Sequence, residues 1–294
     1  MTRSAFIMII GRPNVGKSTL MNALVGEKVA IVSKKPQTTR GRIAGVLTEG
    51  EDQYVFLDTP GLHKPHNLLG EYMMRTVGTA SEDADAVIFV VDASKKLNKA
   101  EAEALDAYAK NPDNVILIIN KTDITDKDRL LRYIADISLK YTFRSVIPVS
   151  AKTGDGLDIV RNEIKEFLIE SPHFFPDDMY TDQPERQVAS EVIREKLLRL
   201  IDDEIPHGIA VVIEDFTDEN TLIRIRAEIY CERSAHKKII IGKGGEMLKK
   251  IGTYAREDLE AMFGCKVYLD LWVRVKENWR DNRAMLQNLG FRDE

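Results

Sequence analysis

Apolar and polar positions divide the chain into two textures. Up to about residue 171, short apolar runs at 6–10, 43–48, 54–58, 86–92, 115–120 and 146–150 alternate with longer stretches of helical period. That alternation predicts βα units around a mostly parallel, doubly wound sheet covered on both faces, an α/β domain over 1–171. Ligands of such sheets sit beyond the carboxyl ends of the strands, so the residues that follow each run carry the functional reading. Between 172 and 186, Pro172, Pro176, Asp177, Asp178, Asp182 and Pro184 interrupt all periodicity and predict a linker. A second, smaller α+β domain is expected over 187–294, including a C-terminal tail. It opens with Ala189, Val192, Ile193, Leu197, Leu200 and Ile201 on one face of a helix that ends by Pro206.

Two later runs alternate strictly. Ile223, Ile225, Ala227, Ile229 and Cys231 share one face of a strand, with Arg224, Arg226, Glu228 and Tyr230 on the other. Val267, Leu269, Leu271, Val273 and Val275 oppose Tyr268, Asp270, Trp272, Arg274 and Lys276 in the same way. Each strand is half buried, as in a sheet covered on one side. Tyr268 and Trp272 fall on the polar side, where base stacking is conceivable and packing against a domain is the favoured reading.

Composition narrows the class. The 294 residues carry 42 basic and 47 acidic side chains, a net charge of −5, and 44% apolar residues, the balance of a globular protein that meets nucleic acid through a local patch. No apolar run approaches the ~18 residues that cross a bilayer, and no signal-peptide pattern precedes the first strand, so a cytoplasmic protein is expected. Cys231 and Cys265 form no disulfide framework and no metal-ligand spacing.

The chemistry sits at the strand ends. GRPNVGKST, 11–19, fills the GxxxxGK[ST] pattern in a strand, loop, helix context. Gly11, Asn14, Val15 and Gly16 turn backbone N–H groups toward phosphate oxygens, Lys17 supplies charge to the β and γ phosphates, Ser18 offers a hydroxyl to Mg²⁺, and Thr19 can bond phosphate. DTPG, 58–61, places Asp58 for Mg²⁺ through a water and the Gly61 N–H for the γ phosphate. NKTD, 120–123, selects guanine: the Asp123 carboxylate accepts from the two adjacent N–H donors that adenine lacks, Asn120 braces the loop, and the Lys121 stem lies along the base. Ser150, Ala151 and Lys152 complete the set, with the Ala151 N–H placed for the guanine oxygen. GTP and GDP are the expected nucleotides.

These four elements resemble a translation-factor-type GTPase domain. The resemblance calls for a switch threonine, sought in PQTTR at 36–40; Thr39 is the choice for Mg²⁺ and the γ phosphate, with Thr38 as the alternative. The expected catalytic set is therefore Lys17, Thr39 and Gly61, and the expected metal set Ser18, Thr39 and Asp58. Where many GTPases place a water-orienting glutamine, this chain has Leu62, which predicts slow intrinsic hydrolysis. His63 is a candidate helper or a solvated loop residue. Asn14 either holds K⁺, as in GTPases resembling this one, or stabilises its own loop.

In the second domain, Arg233 to Arg256 holds seven basic residues against one acid. Inside it, GKGG at 242–245 satisfies the GxxG loop of KH modules, whose backbone clamps about four nucleotides. The expected RNA contacts are Lys237, Lys238, Ile241, Gly242, Lys243, Gly244, Gly245, Lys249 and Lys250. Ile239 to Ile241 with Met247, Leu248 and Ile251 are expected to wall a groove for bases, at least one of the three isoleucines being core.

A GTPase domain followed by a KH domain resembles the Era GTPases of bacteria and organelles over the whole chain, through DTPGLHKP at 58–65, PQTTR at 36–40 and IIIGKGGEMLKKIG at 239–252. The resemblance implies binding near the 3′ end of 16S-type ribosomal RNA, a role in small-subunit (30S) assembly and rRNA maturation, partial association with the inner membrane face, and a monomer. Two rivals stand beside it: a signalling GTPase whose lysines meet a protein or an anionic membrane, and a passive RNA chaperone in which GTP is structural.

Overall fold

The structure, a computed structural model, describes residues 1–82, 84–201 and 208–291. By contacts the chain forms two units: 1–30, 39–64 and 73–182 make the first, and 31–38, 65–72 and 183–294 the second.

In the first unit β1 (Arg3–Gly11), β3 (Asp52–Asp58), β4 (Ala86–Asp92), β5 (Val115–Asn120) and β6 (Ser145–Pro148) run parallel, and β2 (Ile43–Glu49) pairs antiparallel with β3. The sheet order is β2-β3-β1-β4-β5-β6, with β7 (Ile169–Glu170) antiparallel on β1. Strands this apolar must be covered twice, and the alternation within β1 does so. Ile7 and Ile9 enter a core with Leu20, Met21 and Leu24 of α1 (Lys17–Val25) and Val160 and Ile164 of α5 (Leu157–Ile164). Met8 and Ile10 enter the opposite core with Val77 of α2 (Leu68–Glu82), Leu105 of α3 (Lys99–Tyr108) and Ile137 of α4 (Lys127–Lys140).

The proline-rich stretch differs from the expected linker. Its residues through Asp182 fasten to the first unit's sheet: the Gln53 amide donates to Phe175 O at 2.9 Å and accepts from Phe174 N at 2.8 Å, and the Phe6 and Phe174 rings lie 4.7 Å apart. Prolines end the periodicity there without ending the packing.

The second unit is a three-stranded sheet, β10 (Lys266–Val275), β9 (Leu222–Cys231) and β8 (Ala210–Asp218), in that order. β9 and β10 are parallel, β8 and β9 antiparallel. One face packs on α6 (Glu185–Leu200), α7 (Ser234–Ile241) and α8 (Glu246–Phe263) through Val192, Ile193, Leu197, Ile225, Ile229, Ile240, Ile251 and Leu259. A short α9 (Arg283–Asn288) follows. Pro206, expected to close the first helix of this unit, lies outside the described residues. The apolar run before GKGG is helical, so α7 is an element that the alternating pattern did not reveal.

Charges are buried inside this unit. Glu195 is fully buried and accepts from Val32 N at 3.0 Å and from Arg199 at 2.8 Å. Lys196 joins it at 3.3 Å and pairs with Asp258, while Arg194 donates to Glu191 and to the Thr38 carbonyl. Helix α6 thereby holds the segment 31–38 at both ends.

Candidate functional site

At the carboxyl end of β1 the chain turns through Asn14 (φ 65°) and Gly16 (φ 104°) into α1, and no side chain caps that helix. Its first-turn N–H groups are therefore left for an acceptor from outside the helix. Lys17 lies folded over the loop, buried, with Nζ 3.2 Å from Gly11 O and 3.3 Å from Arg12 O. Burial lowers its pKa, and the Asp58 charge opposes the shift.

The three residues expected to hold a metal meet. Ser18 Oγ donates to Asp58 Oδ2 at 2.6 Å, Thr39 Oγ1 donates to the same oxygen at 3.0 Å, and the two hydroxyls are 3.1 Å apart. Asp58 is fully buried; that burial pushes its pKa up, against the Lys17 charge and the two hydroxyls. Its second oxygen, Oδ1, is buried without a hydrogen-bond partner. A hard dication that prefers oxygen donors fits this cluster of two hydroxyls and one carboxylate whose second oxygen is orphaned. Among the described residues no group of three or more acidic, histidine or cysteine side chains forms a cage, so such an ion would draw its remaining ligands from phosphate and water. Of the two threonines, Thr39 reaches this cluster, whereas Thr38 Oγ1 donates to Lys35 O at 2.7 Å within its own loop.

The DTPG turn sits against the phosphate loop. A Cβ on Gly61 would fall 2.5 Å from Pro13 N, and Leu62 N donates to Gly11 O at 3.0 Å. The Leu62 side chain, half-buried, packs against the core beneath. His63 Nδ1 lies 2.7 Å from Gly61 O, which requires the proton on Nδ1 and leaves Nε2, buried and without a partner, as an acceptor when the ring is neutral.

The base-recognition strings form one strut. Asn120 Nδ2 donates to Val15 O at 2.8 Å, and its Oδ1 accepts from Lys121 N at 2.8 Å and Ala151 N at 3.0 Å. The Ala151 N–H, expected at the guanine oxygen, thus braces Asn120 here. Lys121 Nζ donates to Asn14 O at 2.7 Å and to Asp92 Oδ2 at 2.8 Å. Burial pushes the Asp92 carboxyl up, but hydrogen bonds from Lys121 and Ser94 and the Lys121 charge hold it below its ordinary value. Asp123 is exposed and accepts from Ser150 Oγ at 2.9 Å; Lys152 is exposed and Thr19 half-buried. Sequence reading missed two members of this site: Asp92, whose signal was its place as the last residue of an apolar strand, and Glu101, which pairs with Arg12 of the phosphate loop at 3.4 Å.

The second unit carries its own site. Gly242 (φ 75°), Gly244 (φ 59°) and Gly245 (φ 85°) turn α7 into α8, and α8 likewise lacks a side-chain cap. Beside the turn lies a groove of about 410 Å³ lined by Gly245, Leu248, Lys249, Gly252, Thr253, Arg256, Leu269 and Leu271. Gly245, Leu248 and Lys249 were expected there. Lys238, Lys243 and Lys250 are exposed, Lys237 is half-buried, and the Lys250 ammonium lies 6.0 Å over the Tyr254 ring. The expected isoleucine wall is replaced: α7 turns Ile240 into the core, Ile251 is core from α8, and Ile241 packs against the same cluster without lining the groove. Leu269 and Leu271 of β10 face the expected Leu248 in that wall, a contribution from far along the chain that local spacing does not signal. Tyr268 and Trp272, expected to pack, are 56% and 60% exposed.

Residues 6–121 match the family model of 50S ribosome-binding GTPases, and residues 204–280 match that of KH domains. The "GTPase Era" of Ruminiclostridium cellulolyticum is 46% identical over 291 residues, 99% of this chain and 98% of that one. The "GTPase Era" of Clostridioides difficile is 48% identical over 297 residues, the whole of both chains. Among solved structures, Era in complex with MgGDPNP and nucleotides 1506–1542 of 16S ribosomal RNA superposes with a TM-score of 0.94 at 37% identity, covering 99% of each chain. A variant of Aquifex aeolicus Era bound to GDP·AlF4⁻ gives 0.94 at 38% identity, again over 99% of each.

Proposed function

The chain belongs to the Era family of GTPases, and from that premise we propose that it is a slow GTP-hydrolysing switch that grips single-stranded RNA near the 3′ end of 16S-type ribosomal RNA and assists 30S assembly and rRNA maturation. Lys17 and the N–H groups of 11–16 hold the phosphates; Ser18, Thr39 and Asp58 hold Mg²⁺, which when bound supplies positive charge at the β and γ oxygens. Asp123, with Asn120, Lys121, Ser150 and Ala151 around it, selects guanine. With Leu62 packed against the core, no side chain at that position orients the attacking water, and positioning and electrostatics carry the reaction. Gly242 to Gly245 and the lysines around them clamp the RNA backbone, and the groove between α8 and β10 takes bases.

One observation supports the switch most directly. The segments beside the two nucleotide-sensing motifs, 31–38 before Thr39 and 65–72 after the DTPG turn, pack with the C-terminal unit. Val32 and Thr38 are held by Glu195 and Arg194, and Leu68 N donates to Asp281 at 3.1 Å. Any nucleotide state that pulls on Thr39 or Gly61 therefore pulls on segments the RNA-binding unit holds. Finer assignments follow the family: cytoplasm with peripheral contact at the inner membrane face, a monomer, and K⁺ beside Asn14. The described helices include none long and apolar enough to cross a membrane.

The test is RNA affinity, by anisotropy of a labelled single strand in moderate salt, with a non-hydrolysable GTP analogue and with GDP, beside calorimetry of guanosine and adenosine nucleotides. Nucleotide-dependent RNA affinity and guanosine selectivity are expected. Equal affinity for both purines overturns the nucleotide assignment, and nucleotide-independent RNA binding overturns the switch. Equal turnover in K⁺ and Na⁺ buffers removes K⁺.

A further inference from the structure

β10 is an edge strand with two working faces. Leu269 and Leu271 line the groove beside α8, while Tyr268, Asp270, Trp272 and Arg274 alternate with them on the other side of the sheet, away from the cluster packed on α6, α7 and α8. On that outer face Tyr268 is paired in register with Arg224, Asp270 with Arg226, and Trp272 with Glu228. The two rings are four residues apart on one strand, about 13 Å at ordinary strand rise, with Arg226 and Asp270 between them.

Large aromatics this exposed on a sheet face are ordinarily hidden or used. Here each is held ready: Trp272 Nε1 donates to Asp270 Oδ2 at 2.9 Å, and the Arg224 guanidinium lies 5.6 Å over the Tyr268 ring. Charges on the face are matched in place, Arg224 with Glu219 at 3.0 Å, Arg226 with Asp270 at 3.9 Å and Arg274 with Glu228 at 2.5 Å. A face without excess charge does not attract a phosphate backbone over distance. It does offer two flat rings and neighbouring guanidinium planes to unstacked bases, the chemistry by which sheet surfaces hold single strands.

We propose that this face is a second contact for single-stranded RNA, taking bases of a strand that leaves the groove and passes over the β10 edge onto Tyr268 and Trp272. The inference rests on the reading that RNA occupies the groove, and it extends that reading: a GxxG clamp holds about four nucleotides, so a longer strand must continue somewhere. Continuity through a single strand, whose alternate side chains line the groove and the outer face, selects this direction.

The full chain supplies its own probe. Of its two tryptophans, Trp279 is fully buried with Nε1 on Gly208 O at 3.0 Å, so changes in tryptophan quenching report Trp272. Affinities are measured for a strand of about six nucleotides that fills the groove and for one of about twenty that contains it. The longer strand is expected to bind more tightly and to quench Trp272, and the shorter to leave it bright. Trp272→Ser is expected to cost on the order of tenfold with the long strand only, equally at low and high salt, and Trp272→Phe to restore most of it. Unchanged long-strand affinity in Trp272→Ser overturns the proposal, as does shielding of Trp272 from acrylamide by GTP analogue alone, which would mean that protein covers the face. The two readings fail separately. A long strand that binds and quenches Trp272 while the short one does not bind sinks the groove and keeps the platform; a short strand that binds as tightly as the long one does the reverse. If neither binds, both fall.

Discussion

The loop at 11–16 and the loop at 242–245 solve the same local problem and differ in everything around them. Each ends in a left-handed glycine, Gly16 or Gly245, that serves as the N-terminal boundary of a helix with no side-chain cap. Each therefore presents unspent backbone N–H groups and the positive end of a helix to an anion. Around the first loop there is no slack: Lys17 is buried, the Asn120 amide closes over Gly16, and Pro13 closes over Gly61. Around the second, a Cβ on Gly244 or Gly245 would meet nothing within 4 Å, and Lys243 and Lys249 stand in solvent. An enclosed loop fits one triphosphate in one pose and can sense a single phosphate. An open one follows a sugar-phosphate chain whose bases vary, and its specificity must come from the groove beside it.

Lys17→Ala tests the enclosed loop hardest. Removing a desolvated cation from a phosphate site costs about 2–5 kcal/mol, so GTP affinity should fall on the order of 10²- to 10³-fold by calorimetry. Because burial already disfavours the Lys17 charge, the nucleotide-free protein should lose no thermal stability. Its RNA affinity without nucleotide should not change. A fall in melting temperature without nucleotide would mean that Lys17 holds the loop together through Gly11 and Arg12, and the comparison would lose its first half. Gly16→Ala comes next. Its Cβ would stand 2.3 Å from Asn120 Nδ2 at φ 104°, so Asn120 must give way. The amide braces Val15 and Ala151 together, so guanine selectivity should fall along with phosphate affinity, by about tenfold or more. Selectivity that survives intact would show that the strut is dispensable.

The enclosed loop was also the more legible in sequence, for a physical reason. Its residues act in short strings at the ends of apolar strands, and two of those strands, 86–92 and 115–120, have the bounds that the apolar pattern predicted. Ser18, Thr39 and Asp58, expected to share one ion, lie within 3.1 Å of one another. What escaped there were contacts between distant strings, such as Lys121 on Asp92 or Glu101 on Arg12. The open site was legible in its loop but only in part in its groove, where Leu248 was expected and its partners across the groove were not. Leu269 and Leu271 enter from a strand whose alternation announces only that one face is buried, not what lies over it. Ile239 to Ile241 favour a strand by β-branching, yet helical turns seat Ile240 in the core and leave Ile239 half exposed. Prolines through 172–182 announced the end of a regular element, and nothing in their spacing announced that Gln53 would bind Phe174 and Phe175.

Lys243→Glu with Lys249→Glu reverses two exposed charges and should weaken RNA binding about tenfold or more in moderate salt, with a shallower dependence of affinity on salt and an unchanged GTP affinity. Salt is the informative axis. An electrostatic clamp loses strength as salt rises, whereas stacking on Trp272 does not, so the deficit of this double variant should shrink as salt rises while that of Trp272→Ser stays constant. A salt slope that does not move would place these lysines outside the phosphate contacts and make the second loop a turn rather than a clamp.

The smallest effect is the most discriminating. Gly244→Ala adds a methyl group into open space at φ 59°, so it meets no atom of the protein and is opposed only by the left-handed backbone, at about 1–2 kcal/mol. At Gly16 the same chemical change must displace a buried amide. Gly244→Ala should therefore lower the melting temperature by only a few degrees and leave GTP binding untouched. If RNA needs merely the shape of the turn, its affinity should fall no more than the strain implies, by less than about tenfold. If the strand lies directly on Gly244, the methyl group occupies the place of a sugar or phosphate and the loss should exceed the strain several-fold, recoverable neither by lower salt nor by added nucleotide. Gly242→Ala gives the internal standard, since its Cβ would fall 2.8 Å from the Met247 Cβ and damage the fold first. An RNA loss at Gly244 larger than at Gly242, with the stability losses in the opposite order, would identify the open loop as the surface on which the RNA backbone rests.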